Sequence, residues 1–291
     1  MLILLTIIYN LMLPYWDTLK KKLFQDGISS LTIIHAPTLA GHPIVIAVLL
    51  AAGLFVPPPD PYFYVFWFAM VVMAAAALTL NIWGLVESKF FAAQILGKLG
   101  FVTSSLGAIF VIGERLLPMQ MAALGLAIVG VGFFVWPQKL SRVDLVWDRG
   151  VLFMIASIIF SGLATVFYKL ATFHTPNYFT FLSGRLIGDL IGWSLIWIII
   201  SIWPLHRNPV VELFRCFRTY TGLAMVIGMA TSALLLSWLI YQLPVTTFAM
   251  LGTLTIPAAY FLSRIKYKEQ ITVRMWSGTI FILGSLVLFL I

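Results

Sequence analysis

The chain has 291 residues, 62% of them hydrophobic and only 10% charged, with a net charge of +8. A water-soluble domain carries about 25% charged residues, so one water-facing core cannot account for this much apolar surface, and membrane-spanning helices are expected. The basic excess lies in scattered loops without a basic arm or an aromatic-basic stripe, which excludes nucleic acid as a partner, and the single cysteine, Cys216, excludes an internal disulfide and a CxxC metal site.

At about 20 residues per span, the length holds about ten helices and no sizeable soluble domain. Spans are predicted near residues 2–22, 29–56, 62–85, 89–112, 118–136, 150–172, 177–203, 219–242, 245–263 and 271–291. The opening "MLILLTIIYNLMLPYW" has no basic n-region and no small-residue cleavage site, so it reads as a first transmembrane helix and not as a signal peptide. In span two, "HAPTLAGHP" places His35, Thr38 and His42 on one helical stripe. Pro37 and Pro43 bend that helix and free carbonyls able to line a cavity. The histidines read either as proton-coupling groups, because imidazole changes charge near neutral pH, or as hydrogen-bonded packing residues. No third ligand has metal spacing.

"VPPPDPYF" separates spans two and three, because consecutive prolines remove donors and cannot continue a helix. "LTLNIWGLVESKFF", residues 78 to 91, supplies Asn81, Trp83 and Glu87. Asn81 and Trp83 are candidate substrate contacts, and Glu87 is a candidate coupling group or, with Lys89, a polar turn. "QILGKLG" opens span four with Gln94 and Lys98, both candidate substrate contacts. Gly97, Gly100, Ser104 and Gly107 thin one side of that span, and Gly125, Gly130 and Gly132 thin span five, as close helix packing requires.

"WPQKLSRVDLVWDRG", residues 136 to 150, is a polar stretch that divides the chain almost in half. The expected organisation is therefore a first five-helix repeat over 1–137, a linker over 138–149 and a second repeat over 150–291. In span seven, "GRLIGDLIGW" sets Arg185 and Asp189 four apart, on one helix face. They read either as an intrahelical ion pair that makes both tolerable in lipid, or as a switch in which protonated Asp189 releases Arg185. "PLHRNPVVELFRCFRTY", residues 204 to 220, reads as a short interfacial amphipathic helix. Span eight ends in "SWLIYQLP", where Trp238 and Tyr241 would stack on a substrate or sit in the interfacial belt.

A charge at the bilayer centre costs about 2.5–3.5 kcal/mol even on lenient insertion scales, so such a residue usually faces the bundle interior. At the α-helical rise, Lys98 lies about 13 Å from one end of span four and Arg185 about 12 Å from the opposite end of span seven. Both fall near the middle of a core about 30 Å thick. One cation from each half points to an anionic substrate group, which Arg185 would grip bidentately and Lys98 would meet as a point charge. The alternative is that Lys98 snorkels or pairs with Glu87.

The halves echo one another. "GERLLPMQMAALGLAIVGVGFF" (113–134) and "YKEQITVRMWSGTIFILGSLVLF" (267–289) each carry a glutamate, Glu114 or Glu269, ahead of a Gly-bearing apolar helix. Five spans per half is odd, so the second copy must enter the membrane inverted, an arrangement of secondary transporters. Fourteen of the 18 Lys and Arg fall on one face, Arg115 and Lys169 on the other, and the remaining two are Lys98 and Arg185. By the positive-inside rule both termini are then outside.

On these segments, together with "TIPAAYFLSRIKYKEQ" and "FYKLATFHTPNYFTFLSGRLIGD", the sequence resembles the EamA-like, ten-helix members of the drug/metabolite transporter superfamily over nearly its whole length. Pro257, twelve residues before Glu269, and Lys169 with Arg185 match the pattern, whereas Val102 and Thr38 replace the expected helix proline and second-span arginine. The resemblance implies an all-α polytopic membrane protein of two inverted five-helix repeats, both termini inside in its better-known members, and a bacterial cytoplasmic (inner) membrane location. The expected function is secondary active transport of a small polar, anionic metabolite, by a monomer or homodimer whose partners are that substrate and the bilayer. The alternative is an exporter or flippase of amphiphiles, with Phe, Trp and Met lining an adaptable cavity. No cofactor is expected: GxxxxGK[ST], GxSxG and HExxH are all absent, which leaves no sign of ATP hydrolysis or catalysis.

Overall fold

The computed structural model describes residues 1–87, 97, 100–135, 149–201, 209–268 and 273–290. The described residues are almost entirely helical. The helices are α1 (Leu2–Gln25), α2 (Ser30–Ala51), α3 (Pro61–Glu87), α4 (Gly100–Gly107, prolonged by a π-turn at Ala108–Ile112), α5 (Pro118–Val135), α6 (Arg149–Phe173), α7 (Tyr178–Ser201), α8 (Pro209–Arg218), α9 (Tyr220–Gln242), α10 (Val245–Leu251), α11 (Thr255–Lys266) and α12 (Val273–Leu290). A 3-10 turn at Gly252–Leu254 joins α10 to α11, so the ninth predicted span is a broken helix. Among the described residues, seven helical stretches are long and apolar enough to cross a membrane, and three shorter apolar ones occupy the remaining predicted positions. The chain is an all-α polytopic membrane protein.

Local chemistry sets the boundaries. Ser29 caps α2, its hydroxyl accepting from the Thr32 amide. That helix stops at Ala51 rather than near 56, because Gly53 turns the chain at φ 66° and the Pro57–Pro59 run follows. The first helix runs to Gln25, past the predicted end, and carries Asp17 and Lys20 inside the bundle.

The helices pack in pairs. α3 lies along α6: Ser157 donates to the Ala77 carbonyl at 2.8 Å, and Gly84 admits the Met154 side chain. α5 lies along α12, where the Phe133 and Phe281 rings stack at 5.2 Å. α1 crosses α9, with Trp16 laid over Gly228. α2 packs on both α7 and α9, with Gly41 facing Ala230. Further contacts join α4 to α6, α1 to α11, α3 to α7, and α4 to α10.

One end of the bundle is tied by Glu212 of α8, which accepts from the Ser29 amide and the Thr32 hydroxyl, and by Lys21 over the Tyr267 ring. The amphipathic helix α8 is thus anchored through its first turn, with Val211, Phe214 and Arg215 left exposed. The opposite end holds Asp60 against His174 at 2.7 Å. It also holds Glu114, which accepts from the Val245 and Thr246 amides and the Thr246 hydroxyl and so caps α10. Lys169 donates there to the carbonyls of Ile240, Tyr241 and Leu243 at the end of α9.

Candidate functional site

α7 carries glycines at 184, 188 and 192, four residues apart and therefore on one face. A Cβ at these positions would meet Phe63 and Pro58, Trp67, and Val71 respectively. The missing side chains let α7 sit against α3, as small residues do between membrane helices. Beside that stripe, α7 projects Arg185 and Asp189 inward, 6% and 5% exposed.

Asp189 is the hub. Its Oδ2 accepts from Arg185 Nε at 3.2 Å and lies 2.9 Å from His42 Nε2, while Oδ1 accepts from Trp67 Nε1 at 3.0 Å. Arg185 also donates through Nη1 to the Ala233 carbonyl of α9, and its Cζ stands 5.6 Å from the centre of the Tyr168 ring. A buried ion pair is tolerated only when its remaining hydrogen-bonding capacity is met. Here helices α2, α3, α6, α7 and α9 all contribute to meeting it.

This cluster faces a cavity of about 450 Å³ lined by α1–α4, α6, α7, α9, α10 and the 3-10 turn, a volume within the usual range for small-molecule sites. From α1 the cavity receives Tyr9, Asn10, Leu13, Trp16, Asp17 and Lys20. Lys20 is 7% exposed and holds Asp17 at 2.8 Å. Lys20 is five residues from the end of α1 and Arg185 seven from the start of α7. Lys20 thus lies about 8 Å from the basic end of α1 and Arg185 about 10 Å from the other end of α7.

Of the sequence candidates, Arg185, Asp189, His42 and Asn81 line this cavity. His35 does not. It is 1% exposed beside the Trp197 ring at 5.6 Å, and both its ring nitrogens lack a hydrogen-bond partner among the described residues. Trp83 is 39% exposed, packs on Phe153 and stands outside the cavity, and Glu87 is exposed at the end of α3. Trp238 packs in an apolar cluster with α1 and α10, and Tyr241 lies behind the cavity against Phe181 and Tyr178. Gln94, Lys98 and Glu269 lie outside the described residues, although Gly97 lines the cavity. Among the described residues no group of three His, Cys, Asp or Glu has metal-site spacing.

The sequence reading missed Asp17, Lys20, Trp67 and Tyr168. A signal for the first two was present: residues 9, 10, 13, 16, 17 and 20 form one helical stripe that carries Asn10, Asp17 and Lys20.

Residues 148–291 match the EamA-like transporter family, which belongs to the drug/metabolite transporter superfamily. A protein of known crystal structure is similar over 99% of this chain and 95% of its own, at TM-score 0.60 and 13% identity, a likeness of fold alone. No curated protein matches the sequence.

Proposed function

We propose, from the premise that this chain belongs to the EamA-like transporter family and is an integral multi-pass membrane transporter of the drug/metabolite type, that it is a secondary carrier for a small anionic metabolite. The observation that carries this reading is the buried Arg185–Asp189–His42 cluster facing a cavity between the helices. An incoming carboxylate or phosphate would take Arg185 from Asp189, with Lys98 supplying a second cation. A proton on Asp189 would weaken its hold on Arg185 and link anion and proton movement. Asn81 is in place to orient the ligand by hydrogen bonding.

Alternating access would come from two inverted five-span units, residues 1–137 and 150–291. The packing supports this: exchanging each span with the one five places on converts α3·α6 into α1·α9, α4·α6 into α1·α11, and α2·α9 into α3·α7, all of which occur.

The test is proteoliposome uptake of a panel of carboxylates and phosphates. Arg185→Ala and Lys98→Ala should abolish uptake. Arg185→Lys should fold and transport poorly, because it keeps the charge and loses the planar fork. Full uptake by both alanine variants would end the anion-site reading. The aromatic and Met walls of the cavity (Trp16, Phe101, Phe248, Met70) favour amphiphile export as the second reading. Thermal stabilisation by amphiphilic cations and not by any anion would select it.

A further inference from the structure

The cavity is asymmetric along the bundle. Toward the basic end it is lined by Lys20, Asp17 and Asn81. Toward the other end it is lined by Tyr168, Ile240 and Phe248, and behind the Tyr168 ring stand Trp67, Phe63, Phe181, Tyr178 and Tyr241, none of which lines it. The set is continuous: ring centres are 4.9 Å apart for Trp67–Tyr168, 5.5 Å for Phe63–Trp67, 5.5 Å for Tyr168–Phe181 and 5.6 Å for Phe181–Tyr241. Four helices, α3, α6, α7 and α9, supply these rings, so the plug cannot part unless the helices move relative to one another.

The charged cluster holds two members of this plug directly. Asp189 accepts the indole N–H of Trp67, and the Arg185 guanidinium lies over Tyr168. Each partner of the ion pair therefore grips a different ring, and Trp67 itself lies over Gly188, one position from Asp189.

We propose that Trp67 and Tyr168 are positioning residues that link occupancy of the site to closure of the end opposite the basic face: while Arg185 and Asp189 are paired the aromatic plug is shut, and their separation releases it. This rests on the carrier reading and specifies how that carrier senses its load. A ligand that engages Arg185 shifts the guanidinium relative to Tyr168. An Asp189 freed from Arg185 no longer has a fixed place from which to hold the Trp67 indole.

The test is sided thiol labelling of the full chain in oriented vesicles, with Ser161→Cys as reporter and a membrane-impermeant maleimide as probe. Ser161 is exposed, lines the cavity and sits near the middle of α6; the native Cys216 is buried. Arg218→Cys and Arg115→Cys, both at exposed positions on opposite ends, calibrate the two compartments. The reporter should label from the basic side about tenfold faster than from the other, a ratio set by the hydrogen bond to a carboxylate that favours the shut state. Trp67→Phe keeps a ring and loses the donor, and Asp189→Asn removes the charge that holds Arg185. Each should raise labelling from the opposite side about tenfold and leave the basic-side rate alone. Trp83→Phe, outside the cavity, should change neither.

A generally loosened fold would raise both rates together, and this outcome would overturn the proposal. An unchanged ratio in Trp67→Phe and Asp189→Asn, with Ser161→Cys still labelled from the basic side, would overturn the linkage and leave the carrier intact. If Ser161→Cys and a second reporter, Asn81→Cys, label from neither side, there is no water-filled path and the carrier reading fails with it.

Discussion

Gly188→Ala tests whether the bare face of α7 is what positions the charged cluster. A Cβ there would overlap the Trp67 ring at Cδ1 and crowd Nε1. Trp67 is 1% exposed and wedged among Phe63, Tyr168 and Phe181, so the indole has no free direction in which to retreat. Overpacking of this kind costs about 1–3 kcal/mol. Displacing the indole also weakens its hydrogen bond to Asp189, and a bond to a charged acceptor is worth about 1.5–3 kcal/mol. Replacing a helical glycine with alanine returns about 1 kcal/mol. The net loss is about 1.5–5 kcal/mol. Gly125→Ala is the internal control: nothing lies within 4 Å of its added Cβ, so only the helical gain remains. In thermal unfolding of the detergent-purified protein, Gly188→Ala should melt well below the parent and Gly125→Ala at or above it. Trp67→Leu should recover part of the Gly188→Ala loss, a coupling expected only of residues in contact. A Gly188→Ala protein as stable as the parent would refute the close-approach reasoning.

Glu114→Ala removes the acceptor of three hydrogen bonds at the start of α10. It should cost about 1–2 kcal/mol in a thermal melt, with Glu114→Gln milder because one oxygen remains; equal melting of all three proteins would sink the capping role. Lys169→Met keeps the stem and strips three carbonyls of their donor. Amide exchange over residues 240–248 should accelerate, and unchanged protection would show the ammonium to be dispensable. Asp60 lies in the α2–α3 connection, outside the spans. The His174 hydrogen bond, and after it the Tyr62 amide, hold its carboxyl below the usual carboxylate range. A carboxyl depressed in the fold stabilises it above the unfolded pKa of about 3.9 and loses that contribution as pH falls through the folded value. The melting temperature should thus fall on acidification below about pH 4, and Asp60→Asn should flatten that limb. An identical acid limb in the variant would show that the pair contributes nothing.

The legible parts of this molecule are those written in periodicity. Long apolar runs gave the spans, and the four-residue spacing of Arg185 and Asp189 placed them on one face, where they meet at 3.2 Å. The unforeseen parts are contacts between distant spans. Trp67 shows no charged neighbour in its own helix, and its role exists only because Asp189, 122 residues away, lies opposite. Lys20 was missed for another reason. Within "KKK" it looks like a solvated cluster, but its backbone turn aims it at Asp17 and the cavity while Lys21 turns outward to Tyr267. One residue along a helix is a rotation of about 100°, so a run of like charges near a helix end always sends its members in different directions.

That arrangement bears on which ligands the proposed carrier can select. Removing one partner from a buried ion pair costs about 3–5 kcal/mol, because the other is left uncompensated. A ligand that draws Arg185 from Asp189 must therefore replace a full carboxylate, and a neutral carbonyl or hydroxyl would not suffice. Asp189 in turn keeps His42 and Trp67 as partners, so its own loss is the smaller one. The asymmetry favours exchange of one anion for another at Arg185 over entry of a neutral solute. It follows that Asp189→Asn, which lowers the competition for Arg185, should tighten anion binding while slowing turnover. Equilibrium binding of the panel anions to this variant, measured beside its uptake rate, separates the two effects. Weaker binding together with slower uptake would mean that Asp189 assists the ligand and does not compete with it.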